Sequence, residues 1–104
     1  MNQFDVYMVD LNPAVGSEMK KIRPAVIISP NAMNNDLNTV IIAPLTHTIK
    51  NYPFRVLSNF AGQSGAIALD QMKYVDKSKL KQKLGRVDGS TAANIKAILA
   101  TMFS

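Results

Sequence analysis

The 104-residue sequence contains no cysteine and no tryptophan, and it has one histidine, His47. The missing thiols exclude disulfides, thiolate nucleophiles and cysteine-ligated zinc or iron–sulfur sites. A single histidine leaves few ways to bind another metal, so we expect chemistry without a metal ion or cofactor. The first residues lack the basic segment and apolar core of a secretory signal, and no apolar run approaches the length that crosses a bilayer. These features predict a cytoplasmic protein without a membrane anchor.

Acidic residues are few as well, with seven Asp and Glu against twelve Lys and Arg, and the net charge is +5. This excess favours a polyanionic partner, because Lys and Arg that neutralise phosphates release condensed counterions. The same charge would also serve only to keep a small protein in solution, and charge alone does not decide between the two. The hydrophobic fraction of 47% is ordinary for a folded protein, so we expect one domain over residues 1–104.

Short apolar runs between turn residues predict a mainly β protein. Strands are expected at residues 5–10, 25–28, 39–43, 54–57 and 66–69. Loops are expected at 12–22, at 31–38 with a turn or one short helix, at 44–53, and at the glycines 62 and 65. Residues 77–87 allow a turn of helix plus a strand. From Ser90 onward, apolar residues recur at spacings of three and four and predict a terminal amphipathic helix on a barrel or strongly bent antiparallel sheet.

Four polar side chains flank the predicted buried strands: Glu18, Arg23, Thr46 and Asp70. A guanidinium can bind a phosphate with two parallel hydrogen bonds, and a threonine hydroxyl can donate to another phosphate oxygen. Such groups suit RNA hydrolysis without a metal, because the ribose 2′-hydroxyl attacks its own phosphate once a base takes its proton. Ordinary roles compete, since surface arginines pair with carboxylates, threonines close turns and loop glutamates are solvated.

Two further features have competing explanations. His47 follows Thr46 and is a residue type that titrates near neutral pH, but one histidine in a polar loop is more often exposed and incidental, as we expect here. The lysines at 77, 79, 81 and 83 alternate, so in a strand they would form a basic stripe on one face. Lysines on an edge strand also discourage aggregation, which explains the stripe equally well.

Six motifs occur in one order along nearly the whole chain. They are Val9-Asp10-Leu11-Asn12-Pro13, Gly16-Ser17-Glu18, Arg23-Pro24-Ala25-Val26-Ile27-Ile28-Ser29-Pro30, Pro44-Leu45-Thr46, Tyr52-Pro53 and Asp70-Gln71-Met72-Lys73. In this order they resemble the MazF/PemK family of toxins from toxin–antitoxin systems. The loop motif and the Arg-Pro-Ala-Val segment are the more specific of the six.

The resemblance implies an SH3-like β-barrel of the CcdB/MazF type with a C-terminal helix, and a homodimer. It also implies an mRNA interferase, an endoribonuclease that cuts single-stranded RNA without a metal to a 2′,3′-cyclic phosphate and a 5′-hydroxyl. The catalytic residues that it implies are Arg23, Thr46 and Glu18. The expected RNA contacts are Asn12, Ser17, Lys20, Lys21, Lys50, Phe54, Asp70, Gln71 and Lys73. For Arg23 we expect charge stabilisation rather than proton transfer, because arginine keeps its proton at neutral pH.

The family also varies at positions that matter for this chain. Some members carry a histidine at the position of Ser17 and an arginine at that of Ala68, and both are replaced here. Asp70 is therefore expected to be structural or to contact a base. An acidic, partly disordered antitoxin of the MazE/PemI type is the expected protein partner, lying across the basic RNA groove.

Two other functions remain open from the sequence. A CcdB-like toxin would share the fold but bind DNA gyrase. The resemblance to that family implies that gyrase binding depends on a C-terminal Trp-Gly-Ile ending. This chain ends instead in Met102-Phe103-Ser104. A noncatalytic RNA-binding regulator would use aromatics such as Tyr52 and Phe54 to stack on bases, and it predicts binding without products.

Overall fold

The computed structural model describes residues 1–12, 21–48 and 52–104. Within those ranges, seven strands form one curled antiparallel sheet with the C-terminal helix packed on it. The strands are β1 (Asp5–Asp10), β2 (Ile22–Ile27), β3 (Thr39–Thr46), β4 (Arg55–Phe60), β5 (Gln63–Ala68), β6 (Lys73–Asp76) and β7 (Leu80–Arg86). The helices are α1 (Asn31–Asp36) and α2 (Gly89–Met102), with 3₁₀ turns at Leu69–Gln71 and Lys77–Lys79. This half-barrel with a terminal helix confirms the predicted fold class.

Strand β3 holds the two parts of the sheet together. The strand order is β4-β5-β3-β2-β1-β7, and β6 also pairs with β3. One edge of β3 is shared, since β6 pairs with its first half, from Thr39 to Ile42, and β5 pairs with Leu45 and Thr46 at its end. A strand that changes neighbours in this way is typical of the corner of a curled sheet.

Both faces of β2 and β3 are buried, as expected of their continuous apolar runs. Alternate side chains point to opposite faces of a strand. Val26 therefore faces a core that includes Ile67 and Ile95 of α2, whereas Ile27 and Ile42 face a second core on the other side of the sheet. All five side chains are fully buried, and burying each contributes about 1.5–3 kcal/mol. These two strands form a rigid centre for whatever lies at their ends.

Several predicted element limits were wrong. β2 begins at Ile22 and runs through Pro24, β3 continues through Pro44 to Thr46, and β5 contains Gly65. The prolines do not break the strands, because each has one strand edge without a ladder partner. Pro24 lies beyond the end of the β2–β3 ladder, and Pro44 lies between the part of β3 that pairs with β6 and the part that pairs with β5. Arg23 consequently lies within β2 rather than before it. The predicted helices and the remaining strands are confirmed, with ends shifted by a few residues.

Residues 77–87 form the turn of helix plus a strand that the sequence allowed, so the four alternating lysines do not share one face of a strand. Lys77 and Lys79 belong to a 3₁₀ turn rather than to a strand, so only Lys81 and Lys83 lie in β7. The ammonium of Lys83 lies 3.6 Å from the carboxylate of Asp5, which is buried in β1. A buried carboxylate needs such a counter-charge. At least part of this positive charge therefore serves the fold.

Helix α2 begins with a side-chain cap. Its N-cap is Asp88, whereas the sequence had suggested Ser90 for this position. Oδ1 of Asp88 accepts hydrogen bonds from the backbone N–H of Thr91 at 2.7 Å and from the hydroxyl of Ser90 at 3.0 Å. The backbone hydrogen bond is the largest cause of a lowered pKa at Asp88.

Among the described residues, no helix combines the length and apolar character needed to cross a membrane.

Replacing Asp88 with Ala is expected to lower the melting temperature by several degrees, because an N–H of the first turn of α2 loses its acceptor. The folded protein holds the pKa of Asp88 below its ordinary value of 3.8. The cap therefore stabilises the fold above that pH and stops doing so as the pH falls through the lowered pKa. Thermal melts of the wild type and of Asp88→Ala, from neutral pH to below 3.8, measure the effect.

The control for the Asp88 variant is Asp36→Ala, which removes an exposed carboxylate at the end of α1. Its melting temperature should stay close to that of the wild type. Equal melting of wild type and Asp88→Ala at neutral pH, or a difference that grows in acid, would contradict the role assigned to the cap.

Candidate functional site

A surface cleft lies where β2 and β3 stop pairing. The ladder ends at Ala25 and Pro44, and the same register continued by two residues places Arg23 opposite Thr46. At these ends the two strands have different neighbours, since Arg23 pairs with Val9 of β1 and Thr46 pairs with β5. The cleft between the strands is therefore built on backbone that is hydrogen-bonded on its outer sides. Such backing holds side chains at the mouth in fixed positions.

The cleft brings together two of the predicted catalytic residues. Its lining comes from the start of β2, the end of β3 and the β4–β5 hairpin: Arg23, Pro24, Leu45, Thr46, His47, Phe60, Gln63, Ser64 and Gly65. Arg23 is exposed, and it is the one permanently charged side chain among the described lining residues. A cation next to hydroxyl and amide groups in a concave surface is suited to a phosphate.

Thr46 has one of the two roles considered from the sequence, the closing of a turn, and its geometry leaves the other role available. Its Oγ1 accepts a hydrogen bond from the backbone N–H of Thr48 at 3.1 Å, which closes the turn after β3. Accepting uses a lone pair of the oxygen and not its proton. The hydroxyl of Thr46 can therefore still donate to a ligand in the cleft while the turn fixes its position.

Gly65 allows β5 to approach Thr46 closely. A Cβ added at Gly65 would lie 2.5 Å from the carbonyl oxygen of Thr46 and 3.4 Å from its carbonyl carbon. The first distance is shorter than any van der Waals contact, so a larger residue would displace this backbone. The sequence predicted a loop at this glycine. The packing of β3 against β5 shows instead that Gly65 is needed for the close contact between the two strands.

Asp70 is engaged in an ion pair and does not line the cleft. Nε of Arg55 lies 2.9 Å from Oδ1 of Asp70, and an η-nitrogen of Arg55 donates to Oδ2 at 3.3 Å. The Arg55 side chain is only 8% exposed, and its guanidinium lies 4.9 Å from the ring centre of Tyr52. The hydrogen bond from Arg55 is the largest cause of a lowered pKa at Asp70. This arrangement favours the structural role among the two expected for Asp70.

Arg55 was not selected from the sequence. Its partner is fifteen residues away, so no short motif signals the pair. Phe54, a predicted RNA contact, is half-buried against the core beneath α2. Its packing favours a structural role, because a side chain held in the core presents less of its ring to a base.

The other predicted site residues lie apart from the cleft or outside the described part of the chain. Asn12 and Lys73 line a second cleft with Asp10, Tyr74, Asp76 and Lys79 among others. The side chain of Asn12 also accepts from the backbone N–H of Lys21 at 2.8 Å. Gln71 is exposed in a 3₁₀ turn. Residues outside the described ranges are Ser17, Glu18, Lys20 and Lys50.

Gly65→Ala is expected to destabilise the protein by about 1–3 kcal/mol, because the added methyl group overlaps the carbonyl of Thr46. The matched control is Gly89→Ala, since a Cβ at Gly89, the first residue of α2, meets nothing within 4 Å. Denaturant unfolding of the two variants provides the comparison. Wild-type stability of Gly65→Ala would show that β3 and β5 are not packed as closely as described.

Comparison with known proteins identifies the family. The family model described as PemK-like, MazF-like toxin of type II toxin–antitoxin system matches residues 2–103. The endoribonuclease toxin MazF of Escherichia coli K12 is 37% identical over 71 residues, which are 68% of this chain and 64% of that protein. The chain thus spans slightly less than two thirds of this relative. The endoribonuclease MazF of Staphylococcus saprophyticus is 39% identical over 90 residues, 81% of this chain and 75% of that protein.

Solved structures agree with this result. MazF from Deinococcus radiodurans superposes with a TM-score of 0.80 and 25% identity, covering 99% of this chain and 96% of its own. A mycobacterial endoribonuclease in complex with its cognate antitoxin gives a TM-score of 0.82 and 28% identity, covering 99% and 94%. Sequence and fold therefore lead to the same conclusion: the chain belongs to the PemK-like, MazF-like toxins of type II toxin–antitoxin systems.

Proposed function

We propose that this chain is the toxin of a type II toxin–antitoxin pair and acts as an endoribonuclease on single-stranded RNA. The observation that carries the proposal is the position of Arg23 and Thr46 in one cleft. Both side chains are donors, and both extend from strands that hydrogen bonds hold in place. Relatives at 37% and 39% identity are endoribonucleases, which supports the same activity for this chain.

The proposed reaction uses a nucleophile that the RNA supplies. Once the 2′-hydroxyl loses its proton, its oxygen attacks the neighbouring phosphorus and the bond from phosphorus to the 5′-oxygen breaks. The 5′-oxygen takes up a proton, and the products are a 2′,3′-cyclic phosphate and a 5′-hydroxyl. Negative charge builds up on the phosphate oxygens in the transition state, so donors that point to those oxygens accelerate the reaction.

Arg23 and Thr46 have complementary roles in this scheme. The guanidinium of Arg23 stabilises the developing charge and positions the phosphate through its fork of donors. The hydroxyl of Thr46 donates to a second oxygen. Glu18, the third proposed catalytic residue, lies outside the described residues. Because arginine keeps its proton at neutral pH, proton transfer is assigned to other groups.

Further RNA contacts are proposed at the second cleft. The proposed contacts there are Asn12 and Lys73, which line this cleft, and Lys21, whose backbone N–H donates to Asn12. Lysines there would neutralise backbone phosphates without reading bases. The contacts proposed for Ser17, Lys20, Lys50 and Gln71 rest on the family resemblance alone.

The proposed protein partner is an acidic antitoxin that competes with RNA for the positive surface. The net charge of +5 fits such a partner, and the mycobacterial relative was solved with its cognate antitoxin. A homodimer, a cytoplasmic location and a single domain over residues 1–104 belong to the same proposal.

The activity itself is tested by incubating the purified protein with defined single-stranded RNA in the presence of EDTA. Cleavage should proceed, because the proposed groups include no metal. The products should carry a cyclic phosphate and a 5′-hydroxyl, which phosphatase and kinase treatment of the fragments can identify. Binding without products would indicate a noncatalytic RNA-binding protein, and RNA left intact at high protein concentration would contradict the proposal.

The roles of the two cleft residues are tested by Arg23→Ala and Thr46→Ala. Each is expected to slow single-turnover cleavage by about 10²–10³-fold, the usual effect of removing one donor to a developing oxyanion. Circular dichroism and melting should remain close to wild type, because both side chains lie at the surface of the cleft. Thr46→Ser is the matched control, since it keeps the hydroxyl and should keep most of the activity.

A further inference from the structure

His47 lies in the cleft with Arg23 and Thr46. The sequence favoured an incidental surface histidine, because a residue in a polar loop gives no sign of what its side chain faces. The structure confirms that His47 is exposed, and it also places the residue at the mouth of the proposed active site. RNA bound in the cleft would therefore lie beside His47.

The proposed reaction requires a group that accepts the proton of the 2′-hydroxyl. An arginine such as Arg23 has no acceptor to offer, and a hydroxyl such as that of Thr46 is a very weak base. The other lining residues are proline, leucine, phenylalanine, glutamine, serine and glycine. Among the described residues of the cleft, His47 alone has a side chain of the type that accepts a proton near pH 7.

We propose that His47 is the general base of the RNA cleavage proposed above, on which this inference rests. Its neutral imidazole takes the 2′-hydroxyl proton while the 2′-oxygen forms its bond to phosphorus. The bond to the 5′-oxygen breaks, that oxygen takes a proton from water, and the imidazolium later releases its proton to solvent. A general base of this kind accelerates a reaction by about 10²–10⁴-fold.

The surroundings of His47 make its contribution measurable by pH. The charged residue that lines the same cleft from β2 is Arg23. The β4–β5 hairpin contributes uncharged residues, which are Phe60, Gln63, Ser64 and Gly65. Its chain neighbours Thr46 and Thr48 are also uncharged. Because no other described residue of the cleft is of a type that titrates near neutral pH, a change of rate there follows the group that takes the proton.

The test is His47→Gln, which keeps hydrogen-bonding atoms but cannot take a proton. In single-turnover cleavage the wild-type rate should rise with pH and level off above the pKa of the base. The variant should be about 100-fold slower or more and should lack this rise. Exogenous imidazole should restore part of the activity of His47→Ala. Thr48→Ala is the matched control, because Thr48 does not line the cleft, and its rate and pH dependence should be those of the wild type.

Binding and chemistry are separated with an RNA that has deoxyribose at the cleaved position. It lacks the nucleophile, and His47→Gln should bind it with wild-type affinity. A wild-type rate and pH profile in His47→Gln would overturn the proposal, as would loss of the rise in Glu18→Gln instead. A sulfur-substituted 5′ leaving group that restored the rate of His47→Gln would show an acid rather than a base. Failure of the wild type to cleave any RNA is a separate result, which would defeat the proposed function itself.

Discussion

The end of the β2–β3 ladder is the constraint on which the proposed site depends. The two strands pair tightly through their buried centres and stop at Ala25 and Pro44. Beyond that pair, β1 holds one strand and β5 holds the other. Two side chains that the ladder would otherwise bring face to face, Arg23 and Thr46, are thereby left on either side of a cleft. Hydrogen bonding to the outer neighbours makes this opening part of the fold rather than a local distortion.

The charges of the protein divide between folding and binding. Arg55 pairs with Asp70, and Lys83 and Arg86 lie near the buried carboxylate of Asp5, at 3.6 Å and 3.5 Å. Removing one partner of a buried charge is costly, so these cations are needed by the fold. The net charge of +5 already subtracts these carboxylates, and most of the positive excess lies on cations outside these pairs and outside the cleft. The charge in the cleft comes instead from one well-placed residue.

The sequence predicted what depends on local pattern. Apolar runs indicated the central strands, alternation indicated β1, and the three- and four-residue spacing indicated α2. The limits of the strands were missed because Pro24, Pro44 and Gly65 ordinarily interrupt strands. Here each proline lies where one edge of its strand has no ladder partner, and Gly65 lies where β3 comes unusually close. Whether a proline or glycine fits into a strand here depends on residues far away in the chain, so a local sequence pattern does not predict it.

The candidate site shows the same division. Family motifs selected Arg23 and Thr46, and the structure places both in one cleft. The ion pair of Arg55 and the position of His47 in the cleft follow from tertiary packing, so the sequence could not reveal them. The central claim is that Arg23 and Thr46 hold the scissile phosphate between them. A crystal structure with a single-stranded RNA that has deoxyribose at the cleaved position tests it most directly. The account predicts that phosphate within hydrogen-bonding distance of both side chains, and a phosphate bound instead in the second cleft, beside Lys73, would contradict it.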